Sequence, residues 1–422
     1  MKFFKNFFHQ SQRWLAKNWL KFYPQVTIIG ITGSYGKTST TEAINQVLSE
    51  KYQTLKTDLN LDTNFNLPIT LLKIRPKHQK LILEYGVDHK NEMTKHLALV
   101  KPQIGILTGI NPTHSDPDLL GSLANIMSEK SKLIESLPKD GLAILNWDDK
   151  NIRKMANKFK AKIIKYGFGL ENKNEYDFYA EKIKVDFTGT KFTLVHKNYS
   201  SIKSIQMETG LIGRHFVQSC LAAAIIGLNQ GLSWQEIKKG LSKLKPLSGR
   251  LSIEQGPLSS ILINDSLRAN PASTLAGLQT LADLTTKKRR IAVLGEMGEL
   301  GESAEEQHRI IGEKVAQLKI DFLIAVGSLQ KITAQQALKS GMPKNQIFWV
   351  TDVFEAAKVL KNLLKKDDLF YLKGSRLKHM ERILLILKGK KVDCKVNSCH
   401  FYYPCQDCLL RETTKDIIKT NA

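Results

Sequence analysis

Apolar positions along the chain fall into two rhythms. Short unbroken runs, Leu81-Ile82-Leu83 before Glu84 and Ile104-Gly105-Ile106-Leu107 before Thr108, have the length and branching of strands buried on both faces. Val26-Thr27-Ile28-Ile29, Ile291 to Gly295, Phe322 to Gly327 and Asp368 to Leu372 read the same way, and helical spacing fills the stretches between them. Residues 216–230 predict an apolar helix, and residues 181–196 alternate around Thr188-Gly189-Thr190 as a hairpin does. Strands alternating with helices predict an α/β protein: a central domain over 24–250 with a mainly parallel sheet, then a Rossmann-like domain over 251–390. The second lacks Gly-x-Gly-x-x-Gly, so no bound dinucleotide is implied. Residues 391–422 form a cysteine-rich tail of different composition.

Residues 1–23 stand apart. Phe3, Phe4, Phe7, Phe8, Trp14, Leu15, Trp19 and Phe22 are expected on one helical face, with Lys2, Lys5, Arg13, Lys17 and Lys21 as the only charges, before Pro24 ends the segment. Such a basic aromatic helix lies on an anionic membrane surface or packs its aromatic face on the protein body. Both readings stand on the sequence alone.

Composition narrows the field. A chain of 422 residues, 42% hydrophobic and 24% charged, predicts two or three domains with real cores. The net charge of +23 suits anionic substrates or an anionic membrane surface. Because the basic residues are spread along the chain without an arginine–aromatic motif, nucleic acid is not expected as a partner. No apolar run reaches transmembrane length and no secretory signal is visible, so the expected place is the cytoplasm, with peripheral attachment to the inner face of the plasma membrane through residues 1–22. Cys220 sits in an apolar helical pattern and reads as a core residue; the other four of the 5 cysteines crowd into 394–408.

The strand at 26–29 runs into Thr32-Gly33-Ser34-Tyr35-Gly36-Lys37-Thr38-Ser39, and a helix runs out. Strand, glycine loop, Lys-Thr and helix start make a nucleoside triphosphate cradle. Loop N–H groups and the helix N-terminus face the phosphates, Lys37 reaches the β/γ oxygens, and the Thr38 hydroxyl binds Mg²⁺. The general pattern has a glycine five residues before Gly36, where Ile31 stands, so this is a variant loop. Glu84 ends the next strand and His114 follows the one after, so both should converge on the phosphates at the carboxyl ends of the sheet and offer ligands to a second divalent ion.

With these come Glu84-Tyr85-Gly86, Asn146-Trp147-Asp148-Asp149, Gly213-Arg214-His215, Gly249-Arg250, Asn264-Asp265-Ser266, Ala269-Asn270-Pro271, Leu294-Gly295-Glu296-Met297-Gly298-Glu299-Leu300-Gly301 and Lys373-Gly374-Ser375-Arg376 before Met380-Glu381-Arg382. As a set, over residues 25–387, they resemble the Mur ligases, and the last two strings point to the MurF type that adds D-Ala-D-Ala to a cell-wall precursor. The resemblance implies an ATP- and Mg²⁺-dependent amide ligase of peptidoglycan precursor synthesis working through an acyl phosphate, and a monomer. It implies phosphate and nucleotide contacts at Gly33 to Ser39 and at Ser219, Arg250 and Asp265. It implies Mg²⁺ ligands at Thr38, Glu84 and His114, and catalytic roles for Lys37, Glu84, His114, Lys130 and Arg250. Lys130 aligns with a lysine that relatives carbamylate; a solvated lysine is the alternative. Asn270 and Lys373 to Arg376 would serve the substrates. Departures are Ser219 where the family has an adenine-reading asparagine, Leu267-Arg268 where it has Tyr-Asn, and the basic aromatic helix where it has a UDP-sugar-gripping domain, which leaves both a UDP-linked and a lipid-linked or membrane-held acceptor open. A P-loop ATPase or kinase without ligation, and a membrane-attached scaffold, are the competing classes.

The tail spacing, Cys394-x₄-Cys399-His400-x₄-Cys405-x₂-Cys408, suits a tetrahedral structural Zn²⁺ held by four thiolates. Free thiols are the alternative.

Overall fold

The computed structural model describes all residues except 1, 59–61, 170–171, 199–200, 286–287, 400–404 and 409–422; of residues 2–8 and 198 it describes the backbone. The chain divides into two compact units, residues 1–184 with 188–245, and 246–422 with 185–187.

The first unit is built on a nine-stranded sheet in the order β2-β3-β1-β4-β5-β6-β7-β8-β9. Its strands are β1 (Thr27–Thr32), β2 (Thr54–Lys56), β3 (Lys80–Glu84), β4 (Ile104–Leu107), β5 (Leu142–Asn146), β6 (Lys162–Gly167), β7 (Phe178–Asp186), β8 (Gly189–Asn198) and β9 (Ser201–Thr209). Pairing is parallel from β2 to β7, and β8 pairs antiparallel with β9. The central strands explain the unbroken apolar runs: every residue of β4 and β5 is buried, and β1 is buried after its first residue. Helix Phe216–Asn229 is apolar around its circumference and correspondingly enclosed. Cys220 lies fully buried within it, and burial pushes its thiol up to about 12.

Helix Lys2–Leu20 belongs to this unit. Ala16 is fully buried, Trp19 and Leu20 pack on a core that includes Tyr23, Val26, Leu67 and Leu71, and the Trp19 indole N–H donates to the Ile74 carbonyl at 3.2 Å. Arg13 reaches the Lys95 carbonyl at 2.7 Å. Trp14, Leu15 and Phe22 instead remain 66%, 52% and 73% exposed. The single aromatic face expected from the sequence is therefore split. Residues 16, 19 and 23 recur at helical spacing toward the core, whereas 14, 15 and 22 fall on the other side. The side chains of Phe3, Phe4, Phe7 and Phe8 lie outside the described residues.

The second unit holds a six-stranded sheet, β10 (Ser252–Gln255), β11 (Ile261–Asp265), β12 (Arg290–Gly295), β13 (Phe322–Val326), β14 (Ile347–Val350) and β15 (Leu369–Lys373), ordered β10-β11-β15-β12-β13-β14. All neighbours are parallel except the edge strand β10. Phe370 and Leu372 of β15, Ile291 and Val293 of β12 and Ile324 of β13 form its core with Leu360 and Ile383.

Candidate active site

Strand β1 lies between β3 and β4, with Ile31 level with Glu84 and Thr32 level with Leu107. Three parallel strands thus deliver the glycine loop, Glu84 and the segment after Leu107 to one edge of the sheet. The loop is compact. Gly33 (φ 155°) and Gly36 (φ 77°) occupy backbone space that L side chains rarely enter, and a Cβ on Gly33 would stand 2.1 Å from the Thr108 hydroxyl oxygen. The Ser34 N–H donates to the Gly109 carbonyl at 2.7 Å, and the Ser34 hydroxyl exchanges two 3.2 Å hydrogen bonds with the backbone of Asn111. The Tyr35 hydroxyl donates to Asp149 Oδ2 at 3.2 Å. That same oxygen accepts the Ile110 N–H at 2.6 Å, while Oδ1 caps helix Lys150–Met155 through the N–H groups of Asn151 and Ile152. Burial, reinforced by Asp149, pushes the Tyr35 phenol well above its ordinary range and keeps it a neutral donor. Asp149 therefore ties β5 to the loop, a role that the Asn-Trp-Asp-Asp string did not disclose.

Helix Lys37–Leu48 begins directly after Gly36, with Lys37, Thr38 and Ser39 in its first turn. The Lys37 ammonium folds over the loop and donates to the Gly33 carbonyl at 2.7 Å. The Thr38 hydroxyl donates to Glu84 Oε2 at 3.1 Å, so these two expected Mg²⁺ ligands are adjacent. An oxygen pair of this kind, beside the glycine loop, fits a hard divalent cation.

His114 and Lys130 meet at a backbone oxygen. His114, in a left-handed conformation (φ 74°), donates from Nδ1 to the Val87 carbonyl at 3.1 Å, and Lys130 Nζ donates to the same carbonyl at 3.3 Å. Lys130 has no exposed surface, which corrects the solvated alternative. Burial first, then the charge of Lys37, push its pKa well below the ordinary 10.5, against the pull of Asp88, Glu129 and Glu92. The acids beside it are held differently. Burial raises the Asp88 carboxyl; burial also acts on Glu92, but hydrogen bonds from the Asp88 and His89 N–H groups and the Asn64 amide outweigh it and hold Glu92 at about 2. Val87 contributes through its backbone, so no residue-type signal could have marked it.

Other expected positions are engaged within the protein. Ser219 is buried, and its hydroxyl pairs with that of Thr40 at 3.1 Å, on the helix that follows the loop. In the second unit Asn270 caps helix Pro271–Asp283, its side chain accepting the Ser273 N–H at 2.9 Å. Asp265 and Lys373, read as parts of two different subsites, form one buried ion pair at 2.6 Å. Tyr371 donates to the same Asp265 oxygen at 3.0 Å, and Lys373 also reaches the Arg268 carbonyl at 2.9 Å. Burial pushes the carboxyl up and the ammonium down, and each partner's charge opposes that drift. Arg250, after Gly249, adds a smaller pull in the same direction, and burial still leaves the Asp265 carboxyl raised. Gly374 and Gly295 bring the ends of β15 and β12 together, where a Cβ on Gly374 would meet the Met380 side chain at 2.4 Å. The Ser375 N–H donates to the Glu296 carbonyl at 3.0 Å, and Arg376 opens the short turn Arg376–Lys378. The two strings diagnostic of the MurF type are thus one packed structure.

The tail lies against the segment that follows. The Cys399 N–H donates to the Leu377 carbonyl at 2.9 Å, and Arg382 donates to Cys405 Sγ at 3.1 Å and to Cys394 Sγ at 3.6 Å. Among the described residues, the ligand atoms that gather within 4.8 Å of one another here are those of His379, Glu381 and Cys405, a set different from the four thiols expected from spacing. His400 lies outside the described residues.

Residues 31–227 match the Mur ligase middle domain, and residues 249–376 match the Mur ligase, glutamate ligase domain. The UDP-N-acetylmuramoyl-tripeptide–D-alanyl-D-alanine ligase of Escherichia coli is 31% identical over 73% of this chain and 66% of its own length. The ligase of the same name from Bacillus subtilis is 30% identical over 85% of this chain and 75% of its own. A crystal structure of MurF from Acinetobacter baumannii superposes with a TM-score of 0.78 at 28% identity, covering 90% of this chain and 81% of that one. Two matching domains in the family's order, on a fold shared with a solved member, make this chain a member of the Mur ligase family.

Proposed function

We propose that this protein is an ATP-dependent amide ligase that joins D-Ala-D-Ala to the peptide of a UDP-MurNAc-tripeptide, as the relatives' names describe for them. The observation that carries the reading is the convergence of Thr38 with Glu84, and of His114 with Lys130, at one edge of three adjacent parallel strands beside the glycine loop. A carboxylate oxygen of the peptide attacks the γ-phosphorus of ATP, and the bond to the ADP oxygen breaks. The amine nitrogen then attacks the acyl carbon, and phosphate leaves. Phosphoryl transfer asks the protein for positioning and charge more than covalent help. Loop N–H groups orient the phosphates, and Lys37 moves from the Gly33 carbonyl to their oxygens. Thr38 and Glu84 would hold one Mg²⁺, and His114 with a carbamylated Lys130 a second. When bound, Mg²⁺ neutralises phosphate charge. Ser375 and Arg376, at the end of β15, belong to the amine-binding side.

Incubating the protein with ATP, Mg²⁺, UDP-MurNAc-tripeptide and D-Ala-D-Ala is expected to yield the pentapeptide product by mass spectrometry, with phosphate release requiring both substrates. Phosphate release independent of the amine would indicate an ATPase without ligation, and absence of ATP binding would indicate a scaffold.

Among the described residues no helix is long and apolar enough to cross a membrane. We place the protein in the cytoplasm with its N-terminal helix against an anionic membrane, through exposed Trp14, Leu15 and Phe22 beside exposed Lys17 and Lys21. Deleting the helix would uncover the core beneath Ala16 and Trp19, so point changes are the cleaner test. Changing Trp14, Leu15 and Phe22 together to serine is expected to lower co-sedimentation with phosphatidylserine vesicles about tenfold or more, each large apolar side chain contributing ~1.5–3 kcal/mol when buried. Unchanged binding, or binding indifferent to salt, refutes the membrane role. The tail, in this reading, holds one structural Zn²⁺ through its thiolates.

A further inference from the structure

We propose that the zinc of the tail takes a nitrogen ligand from the body of the second unit: His379 Nε2, alongside three thiolates that include Cys405. The inference rests on the zinc reading of the tail and changes its ligand set.

Four observations on His379 point the same way. It is 1% exposed, and its Nε2 is a buried atom without a hydrogen-bond partner among the described residues. A buried polar atom left unpaired is costly, and native structures seldom keep one without a use. Its other ring nitrogen is committed, since Nδ1 donates to Glu381 Oε1 at 2.8 Å. That bond orients the ring and leaves Nε2 as the nitrogen that can offer a lone pair to a metal, the arrangement by which a carboxylate orients a metal-binding imidazole. The residue is also strained. It sits at φ 46°, ψ 51°, a left-handed conformation that a histidine holds where its surroundings dictate the position of the ring. Finally, a ligand atom of His379 lies within 4.8 Å of Cys405 Sγ and a Glu381 oxygen.

The surroundings complete the case. The tail is fastened to this segment at three points: Cys399 N–H to the Leu377 carbonyl, Cys405 N–H to Glu381 Oε1 at 3.3 Å, and Arg382 to the carbonyls of Cys394 and Val396. Cys405 and Cys408 close a turn, Cys408 N–H to the Cys405 carbonyl at 3.3 Å, as a Cys-x₂-Cys metal knuckle does. Arg382 donates N–H bonds to the sulfurs of Cys405 and Cys394, which offsets the negative charge of a thiolate-rich shell. Three thiolates and one imidazole make a closed tetrahedral site, so the metal is structural, and it clamps the tail onto the turn that follows Lys373 to Arg376.

The full-length protein, produced in zinc-supplemented medium, is to be measured for metal content and by zinc K-edge X-ray absorption. The expected result is one zinc per chain with three sulfurs at about 2.3 Å and one nitrogen at about 2.0–2.1 Å. His379→Gln is expected to lose the nitrogen shell and to bind zinc at least tenfold more weakly in a competition with a chromophoric chelator. A shell of four sulfurs, unchanged in His379→Gln, would overturn the assignment of His379 while leaving the four-thiolate zinc intact. A chain without zinc, indifferent to changing the four cysteines to serine, would overturn both. Should His379→Gln fail to fold, the sulfur-to-nitrogen count of the unmodified protein decides the matter alone.

Discussion

Lys37→Ala is expected to lower ligation about 10²–10³-fold while the protein remains folded, because one preorganised charge contact to a developing transition state is worth roughly 3–4 kcal/mol. The structure supports both halves of that expectation. The ammonium donates to the Gly33 carbonyl from a partly exposed position at the start of a helix. Losing such a bond costs on the order of 1–3 kcal/mol of stability at most. The loop itself is held by other means: the Ser34–Gly109 and Ser34–Asn111 bonds and the Tyr35–Asp149 bond do not involve Lys37. Turnover measured as phosphate release, together with a thermal melt, checks the expectation. A folded variant that keeps more than about a tenth of the wild-type rate would mean that Lys37 does not serve the transferred phosphate.

What could be read in advance follows from which signals are local. The buried strands were legible because unbroken apolar runs have few other destinations, and β1, β3, β4, β12, β13 and β15 lie where those runs are. The glycine loop was legible because Gly33 and Gly36 sit at backbone angles that the motif requires. Glu84 was placed beside Thr38 by counting strands, since parallel neighbours bring their carboxyl ends level. The rest is non-local. Asp149 clamps Tyr35 from 114 positions away, and nothing in either residue announces the other. Asp265 and Lys373 pair across 108 positions, so two strings read as separate subsites become one buried couple. The N-terminal helix shows the limit of amphipathic reading: its aromatic residues were assigned one face, but Trp19 has a specific acceptor in Ile74, which fixes the rotation and turns Trp14 and Phe22 outward. The tail shows the limit of spacing. Cysteine intervals suggest a four-thiol shell, whereas His379, three residues beyond the Lys373 to Arg376 segment read for substrate contacts, has a buried Nε2 without a hydrogen-bond partner among the described residues.

Lys130→Met is expected to reduce ligation about a hundredfold or more with little change in stability, methionine filling the same buried volume without a charge to solvate. The argument starts from the cost of the ammonium. Lys130 is fully buried, its nitrogen has the Val87 carbonyl at 3.3 Å, and the nearby Lys37 charge adds to the effect of burial. Both displace it toward the neutral amine, its pKa falling well below 10.5. A neutral amine is the form that adds to carbon dioxide, giving a carbamate whose oxygens are anionic. That product suits a divalent cation beside His114 far better than an ammonium does. The sign of the pH dependence follows. Lowering the pH returns the amine to its charged form, so carbamate is lost and activity falls on the acid side. Added bicarbonate should restore activity there in the unmodified enzyme and have no effect on Lys130→Met. Incubation with ¹³C-bicarbonate is expected to give a carbamate carbon resonance that is absent from the variant. If no such resonance forms and Lys130→Met still turns over at more than about a tenth of the normal rate, then Lys130 is only a buried hydrogen-bond donor to Val87, and the second metal position keeps His114 alone of its two proposed ligands.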